Sequence, residues 1–205
     1  MDQVTGRANQ KARTRKAIVQ ACRELTCSGA EITMPQVARL ALVSEATAYR
    51  YFPDLLSLLT EALEGLWPPA AQALAPVAGS ADPVERVAFA CDYLMRGVLA
   101  YQGAVRAMIS HTIVAAAGGR DRPGVRFGLI DSALAPFEEG PVSLAPAAMT
   151  ALKQDLAIVV SAEALFTLTD LCGLTPDDAI ASAVRAASTL TGAAFTGAAY
   201  TGVSR

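Results

Sequence analysis

Between residues 44 and 51 the chain concentrates side chains that can hydrogen-bond to nucleic-acid bases and phosphates. A glutamate can accept from the amino group of cytosine, a threonine can bond a base or touch a thymine methyl, and an arginine can reach guanine or a phosphate. A tyrosine can anchor its ring in a core and offer its hydroxyl to a phosphate. The segment holds these types as Glu45, Thr47, Tyr49, Arg50 and Tyr51. This chemistry favours contact with a polyanion.

The charge distribution supports the same interpretation. Residues 1–52 hold eight Lys and Arg and four Asp and Glu, a net charge of +4, whereas the rest of the chain holds nine and fifteen, a net charge of −6. A basic head on an acidic body indicates that the head meets a polyanion and the body does not. Charge alone leaves open that the basic residues simply form a solvated face.

Catalytic and metal chemistry is poorly represented. The chain has one histidine, His111, and four cysteines without metal-ligand spacing, so we expect reduced, mostly buried thiols. No phosphate-cradling glycine loop and no nucleophile–base arrangement is recognisable, so we expect no enzyme activity, metal or cofactor. The polar, basic residues 1–17 lack the apolar core of a signal peptide, and the longest apolar stretch, residues 156–168, is too short to span a bilayer. We therefore expect a cytoplasmic protein.

Three short helices are predicted to position the polar segment. An apolar stripe at helical spacing indicates the first, over about residues 9–26. The second opens at Thr33, where Gln36 completes a capping box. Ser44 can cap the third, over about residues 45–51. With a tight turn between the second and third, this is a helix-turn-helix unit.

The remainder of the chain shows the same local signals for the starts and ends of helices. Caps, prolines in first turns and terminating glycines divide it into further helices, the last two over about residues 147–171 and 176–195. We expect an all-α fold of about nine helices. The helix-turn-helix head would cover residues 1–53, and a helical body would cover residues 54–205.

Residues 33–52 (TMPQVARLALVSEATAYRYF) resemble the tetracycline-repressor (TetR) family of bacterial regulators. The family pattern has a threonine cap, an apolar–alanine pair, an Ala-Gly-Val-Ser turn and a Tyr-x-Tyr-Phe ending. With matching residues in the first helix, the resemblance covers about a quarter of the chain. It implies a ligand-responsive transcriptional repressor that binds a palindromic operator as a homodimer, with the third helix in the major groove. Residues 1–53 would then be the DNA-binding domain and residues 54–205 the regulatory and dimerisation domain.

The resemblance and the side-chain chemistry together predict the DNA contacts. In the family, the threonine that corresponds to Thr33 also presents its hydroxyl or N–H to a phosphate. The predicted contacts are Lys11, Arg15, Thr33, Ser44, Glu45, Ala46, Thr47, Tyr49, Arg50 and Tyr51.

Two positions depart from the family pattern. The turn glycine is replaced by Leu42, which stores about 1 kcal/mol of strain if the left-handed turn is kept, or else reshapes the turn. A lysine that often meets a phosphate near the start of the fourth helix is replaced by Leu55.

The body carries large side chains that are predicted to line a mostly apolar effector cavity. They are Trp67, Phe89, Tyr93, Met108, His111, Phe127 and Phe166. The alternative for each of these side chains is an ordinary filled core, which is the more common role of a single large apolar residue. The last two helices are rich in alanine, so two such helices from each of two chains would make a four-helix dimer interface. The alternative to a DNA-binding regulator is a helical protein-interaction module that binds no DNA.

Overall fold

The computed structural model describes residues 2–26, 32–65, 67–114, 124–139 and 142–197, and across these ranges it contains helices and no strand. The helices are α1 (Asp2–Thr26), α2 (Met34–Leu40), α3 (Glu45–Tyr51), α4 (Leu55–Leu63), α5 (Ala70–Ala73), α6 (Pro83–Ala100), α7 (Gln102–Val114), α8 (Val125–Leu134), α9 (Pro146–Val159), α10 (Ala162–Phe166) and α11 (Pro176–Phe195). Short 3₁₀ turns cover residues 75–77 and 135–137, and a wider π-type turn covers 167–171. The predicted all-α fold class is confirmed.

Residues 1–67 and 100–122 form one compact unit, called unit 1 below. Within it, α1 packs against α2 and α4, α2 packs against α3, and α7 packs against α1 and α4. Its core is apolar and closed to solvent: Ile18, Cys22, Val37, Phe52 and Leu58 are each at most 1% exposed. The stripe predicted on the first helix therefore faces the core.

Unit 1 extends past residue 53, where the sequence placed the boundary between head and body. The reason is that α4 and α7 contribute to the same core as the helix-turn-helix. Leu59 and Ala62 of α4, and Ala104 and Met108 of α7, are buried in one cluster with the residues of α1 to α3. The three-helix head does not close its own core, and α4 and α7 cover the remaining apolar surface.

Residues 68–99 and 123–205 form unit 2. Within it, α9 packs against α8, α10 and α11, α10 packs against α11, and α5 packs against α8. Near the end of α11, the Phe195 ring meets the Phe137 ring edge-on at 5.6 Å between centroids. These contacts bury the alanines of α11 that face inward, among them Ala179, Ala183 and Ala187.

A buried arginine ties three segments of unit 2 together. Arg86 of α6 is 5% exposed. Its guanidinium donates to the carbonyl oxygens of Ala133 (2.8 Å), Val77 (2.6 Å), Ala78 (3.0 Å) and Ser132 (2.9 Å). Carbonyls at the end of a helix carry partial negative charge, so the end of α8 offsets part of the cost of burying this cation.

The prediction of one continuous helix over about residues 147–171 is wrong. α9 ends at Val159, and Val160 leaves the helical region with φ −82° and ψ 69°. The buried Ser161 then caps α10: its hydroxyl accepts from the Ala164 N–H (3.0 Å) and donates to the Ile158 carbonyl (2.7 Å). A serine side chain that satisfies backbone groups on both sides of a break competes with helix continuation.

The cysteines of the described residues are free. Cys22 and Cys91 are buried and Cys172 is exposed, whereas Cys27 lies outside the described residues. Burial raises the pKa of the Cys22 and Cys91 thiols to about 12. None of the helices in the described ranges is both long and apolar enough to cross a membrane.

Candidate nucleic-acid interface

The short helix α3 presents most of its surface to solvent. Of its seven residues only Ala48 is buried, and Phe52, at 1% exposure, anchors its end in the core of unit 1. Glu45, Ala46 and Arg50 are exposed. The helix is thus anchored at Ala48 and at its end, and its exposed side chains are free to contact a surface outside the protein.

Ser44 fixes the start of α3 as predicted. Its hydroxyl oxygen accepts from the Thr47 N–H at 3.2 Å, and its oxygen lies 2.9 Å from the Thr47 hydroxyl. The contact holds the half-buried Thr47 side chain in one orientation. A preorganised threonine can present its remaining acceptor capacity and its methyl group to a base edge at little entropic cost.

The turn between α2 and α3 keeps its left-handed residue without a glycine. Leu42 has φ 56° and is 92% exposed. The Val43 N–H donates to the Ala38 carbonyl (3.0 Å) and the Leu42 N–H to the Arg39 carbonyl (3.2 Å), the hydrogen-bond pair of a Schellman helix end. Of the two possibilities raised by the sequence, the left-handed turn is the one observed, and it holds a Cβ-bearing residue where such residues are disfavoured.

Thr33 has its donors occupied within the protein. The Gln36 side-chain oxygen accepts from both the Thr33 N–H and the Thr33 hydroxyl, each at 2.9 Å. The half of the predicted capping box in which Gln36 reaches back is therefore present. A phosphate that approached Thr33 would have to displace Gln36 or bond its amide group instead.

The two tyrosines of α3 have different surroundings. Tyr49 is 48% exposed, whereas Tyr51 is half-buried and packs against the core of unit 1. The Arg50 guanidinium lies 5.8 Å from the centre of the Tyr51 ring, within range of a cation–π contact. Tyr49 is thus the better placed of the two for a contact with a phosphate.

Arg15, which is predicted to contact DNA, is paired with other residues of unit 1. Its guanidinium makes two bonds to the Glu61 carboxylate, donates to the Tyr51 carbonyl at 3.3 Å and lies 4.4 Å from the centre of the Phe52 ring. The hydrogen bond with Glu61 raises the pKa of Arg15 further above its usual value. This side chain holds α1 against α4 while it stays 46% exposed, and Lys11 on the same helix is also exposed.

The arrangement has a counterpart among solved structures. A TetR transcriptional regulator from Rhodococcus sp. RHA1 matches 88% of this chain and 97% of its own length, with a TM-score of 0.51 and 22% sequence identity. The chain has the TetR fold. Searches of protein-family models and of curated proteins found no match.

At the start of α4 the TetR-fold head carries an acid that the sequence reasoning missed. The Asp54 carboxylate accepts from the Ser57 N–H at 2.7 Å and caps α4. It is exposed and lies next to Leu55, one of the two positions at which the sequence departs from the TetR pattern. The Asp-x-x-Ser spacing could have revealed this cap from sequence. A carboxylate here opposes a phosphate contact.

The side chains predicted to form one effector cavity in the TetR-fold body are divided between the two units. Trp67, Met108 and His111 belong to unit 1, and Phe89, Tyr93, Phe127 and Phe166 belong to unit 2.

Their surroundings are also unlike. Met108 is 6% exposed in the core beneath the helix-turn-helix, and the half-buried Trp67 ring meets Tyr101 edge-on at 6.4 Å. Phe127 is 56% exposed, and the His111 side chain lies outside the described residues. An effector site built from these side chains stays a prediction.

Proposed function

We propose that the protein is a transcriptional regulator that binds duplex DNA by inserting α3 into the major groove. The observation that carries this proposal is the exposed face of α3, where Glu45 and Ala46 in the first turn and Arg50 in the last turn face solvent while Ala48 is buried. The net charge of +4 over residues 1–52 would draw that scaffold to the phosphate backbone. The TetR fold supports the same docking mode.

The proposed contacts divide by chemistry. Base edges would be read by Glu45, Ala46 and Thr47, whereas Tyr49 and Arg50 would bond phosphates or, for Arg50, guanine. Ser44 would act mainly by holding Thr47. Lys11, Thr33 and Tyr51 stay as weaker proposals, and Arg15 would contribute only if its pair with Glu61 opened.

Selection of bound duplexes, followed by affinity measurements, tests this proposal. Duplexes are selected from a random pool by the full chain, and affinity for a selected site is measured by fluorescence anisotropy at several salt concentrations. Arg50→Ala should weaken binding by about 1–3 kcal/mol, and the salt dependence should decrease if a phosphate contact is lost. Arg96→Ala, which removes an exposed arginine from α6, outside both the head and the proposed dimer helices, is the matched control and should bind as wild type.

A chain that enriches no duplex, or an Arg50→Ala variant that binds like Arg96→Ala, would refute the assignment of α3. In the first case the helical protein-interaction module becomes the better description of the protein.

We also propose that the regulator is a two-fold dimer built on α9 and α11. Their outer surface is weakly charged and rich in small residues, and unit 2 leaves Ile158 73% and Leu171 82% exposed. Large apolar side chains at such exposure are typical of surfaces that become covered on association. The operator would then be an inverted repeat with half-sites about one helical turn apart or slightly more.

The dimer is tested by mass. Ile158→Asp should shift the mass measured by light scattering at micromolar concentration from dimer to monomer, because a charge would be buried at the interface. The control Val142→Asp changes another exposed apolar residue of unit 2 that lies outside both helices. A wild-type monomer, with and without DNA, contradicts the proposal.

The finer role that we propose is repression in the cytoplasm, relieved by a small, largely apolar effector. An effector lowers DNA affinity only by as much as it prefers the conformation that does not bind DNA. A coupling of about 2 kcal/mol would lower DNA affinity about thirtyfold.

A further inference from the structure

A cleft of about 630 Å³ lies within unit 1, between the helix-turn-helix and α7. Its walls come from residues 32–35 at the start of α2, from Tyr49 on α3, from residues 53–55 and from α7. The volume is in the range of small-molecule binding sites. None of the seven side chains predicted from the sequence to bind an effector lines this cleft.

Most of the wall is apolar. Ile32, Met34, Pro35, Leu55 and Ala107 supply hydrocarbon surface. Ile32 and Met34 are at most 3% exposed and belong to the core of unit 1, so this part of the wall is held in place. A mostly apolar wall with a few convergent polar groups is typical of sites for small organic molecules.

The two charged groups of the wall have opposite sign and are already used by the protein. Asp54 caps α4 by accepting from the Ser57 N–H at 2.7 Å. Arg106 has an interaction partner within the protein. Because the two charges are of opposite sign, the wall carries no net charge, and a charged ligand that lost its hydration would meet a like charge as well as an opposite one. The cleft therefore favours an uncharged occupant.

The hydroxyl groups of the wall determine the hydrogen-bonding type of that occupant. The Thr33 hydroxyl donates to the Gln36 side chain at 2.9 Å, and the Ser110 hydroxyl donates to the Ala107 carbonyl at 2.9 Å. Their protons are committed, so their oxygens can act as acceptors, and the Tyr49 hydroxyl of the same wall can donate or accept. We propose that this cleft binds an uncharged, largely apolar molecule that donates a hydrogen bond, with aryl alcohols as the matching chemical class.

The cleft shares Thr33 and Tyr49 with the proposed DNA interface. On the proposed function, an aryl alcohol in the cleft covers the Tyr49 side chain that a phosphate would contact. Ligand and DNA then exclude one another at the head itself, and no transmission from unit 2 is needed.

The binding site is tested with 2-naphthol and with 2-methoxynaphthalene, which keeps the ring system and loses the donor. Calorimetry on the full chain should show 2-naphthol binding and at least about fivefold weaker binding of the methyl ether. Ala107→Phe and Ser110→Phe fill the cleft and should weaken 2-naphthol binding at least about tenfold. Ser110 is exposed, so its substitution leaves the core of unit 1 intact.

Gln102→Phe is the matched control, because Gln102 lies on α7 outside the cleft wall. It should bind 2-naphthol as wild type, and thermal unfolding of each variant verifies that it is folded. Absence of 2-naphthol binding by wild type, or equal binding by a folded Ser110→Phe variant, overturns the proposed site.

Competition with DNA is measured separately. With a selected duplex, the apparent Kd for DNA should rise in proportion to free 2-naphthol for wild type and stay constant for Ser110→Phe. If 2-naphthol fills the cleft and DNA affinity does not change, the competition is refuted while the site stands. If the chain binds no duplex, the proposed function fails, and calorimetry alone still decides the site.

Discussion

Replacement of Leu42 by glycine should stabilise unit 1. Leu42 has φ 56°, where a side chain bearing a Cβ costs about 1–2 kcal/mol. Glycine removes that cost but adds about 0.4–1 kcal/mol of backbone entropy to the unfolded chain. Because Leu42 is 92% exposed, almost no burial is lost. The expected net gain is about 0.5–1 kcal/mol in the free energy of unfolding.

The control Leu42→Ala keeps the Cβ and removes the same exposed apolar surface. Urea unfolding of both variants is followed by the fluorescence of Trp67, the single tryptophan, which belongs to unit 1. Leu42→Gly should be more stable than Leu42→Ala by about 0.5–1 kcal/mol. If alanine is as stabilising as glycine, the gain comes from the lost apolar surface and the strain assigned to this turn is wrong.

Arg86→Met should lower the free energy of unfolding by about 3 kcal/mol or more, because four carbonyl oxygens lose a buried donor. The control Arg96→Met, at an exposed arginine of the same helix, should lower it by less than about 1 kcal/mol. Thermal unfolding of both variants measures the difference. An aromatic disulfide reagent at pH 8 should modify Cys172 at once and the buried Cys22 and Cys91 only on unfolding; rapid modification of all three would contradict their burial. The free energy of unfolding should also fall as the pH rises from about 9 to about 12, since the unfolded chain loses the Cys22 and Cys91 thiol protons at lower pH than the folded chain does. The slope is about 1.4 kcal/mol per pH unit for each thiol. Alkaline unfolding of Cys22→Ala and of Cys91→Ala, each compared with wild type, measures it.

Local patterns were sufficient to predict much of the fold. These patterns act within one turn of the chain: the Ser44 cap of α3, and the Thr175-Pro176 start of α11 with the two acids that follow it. Both helices begin and end at the residues that the sequence patterns predicted. The likeness of residues 33–52 to TetR regulators likewise lies in one continuous segment. Such features depend on neighbours in sequence, so they can be recognised without knowledge of tertiary contacts.

Side-chain partners distant in sequence could not be predicted. Arg15 counts as a free basic residue in the sequence, but it pairs with Glu61, 46 positions away, because α1 packs against α4. Asp54 and Leu55 likewise share a cleft with Ser110 only because α7 covers the head. A charged group or a hydroxyl has the same chemistry wherever it lies in the fold. Only the packing of the helices decides whether it faces another side chain or a molecule outside the protein.

The sequence by itself therefore determined the helical class, the helix caps and the polar segment of residues 44–51, since these follow from hydrogen bonds and apolar spacing within a few turns. Tertiary structure alone decided that α4 and α7 share the head's core, that Ser161 breaks a helix and that the large body side chains divide between two units. The physical reason is that burial is a property of surfaces in contact. Which apolar faces meet depends on the free energy of the whole chain, to which residues far apart in sequence contribute.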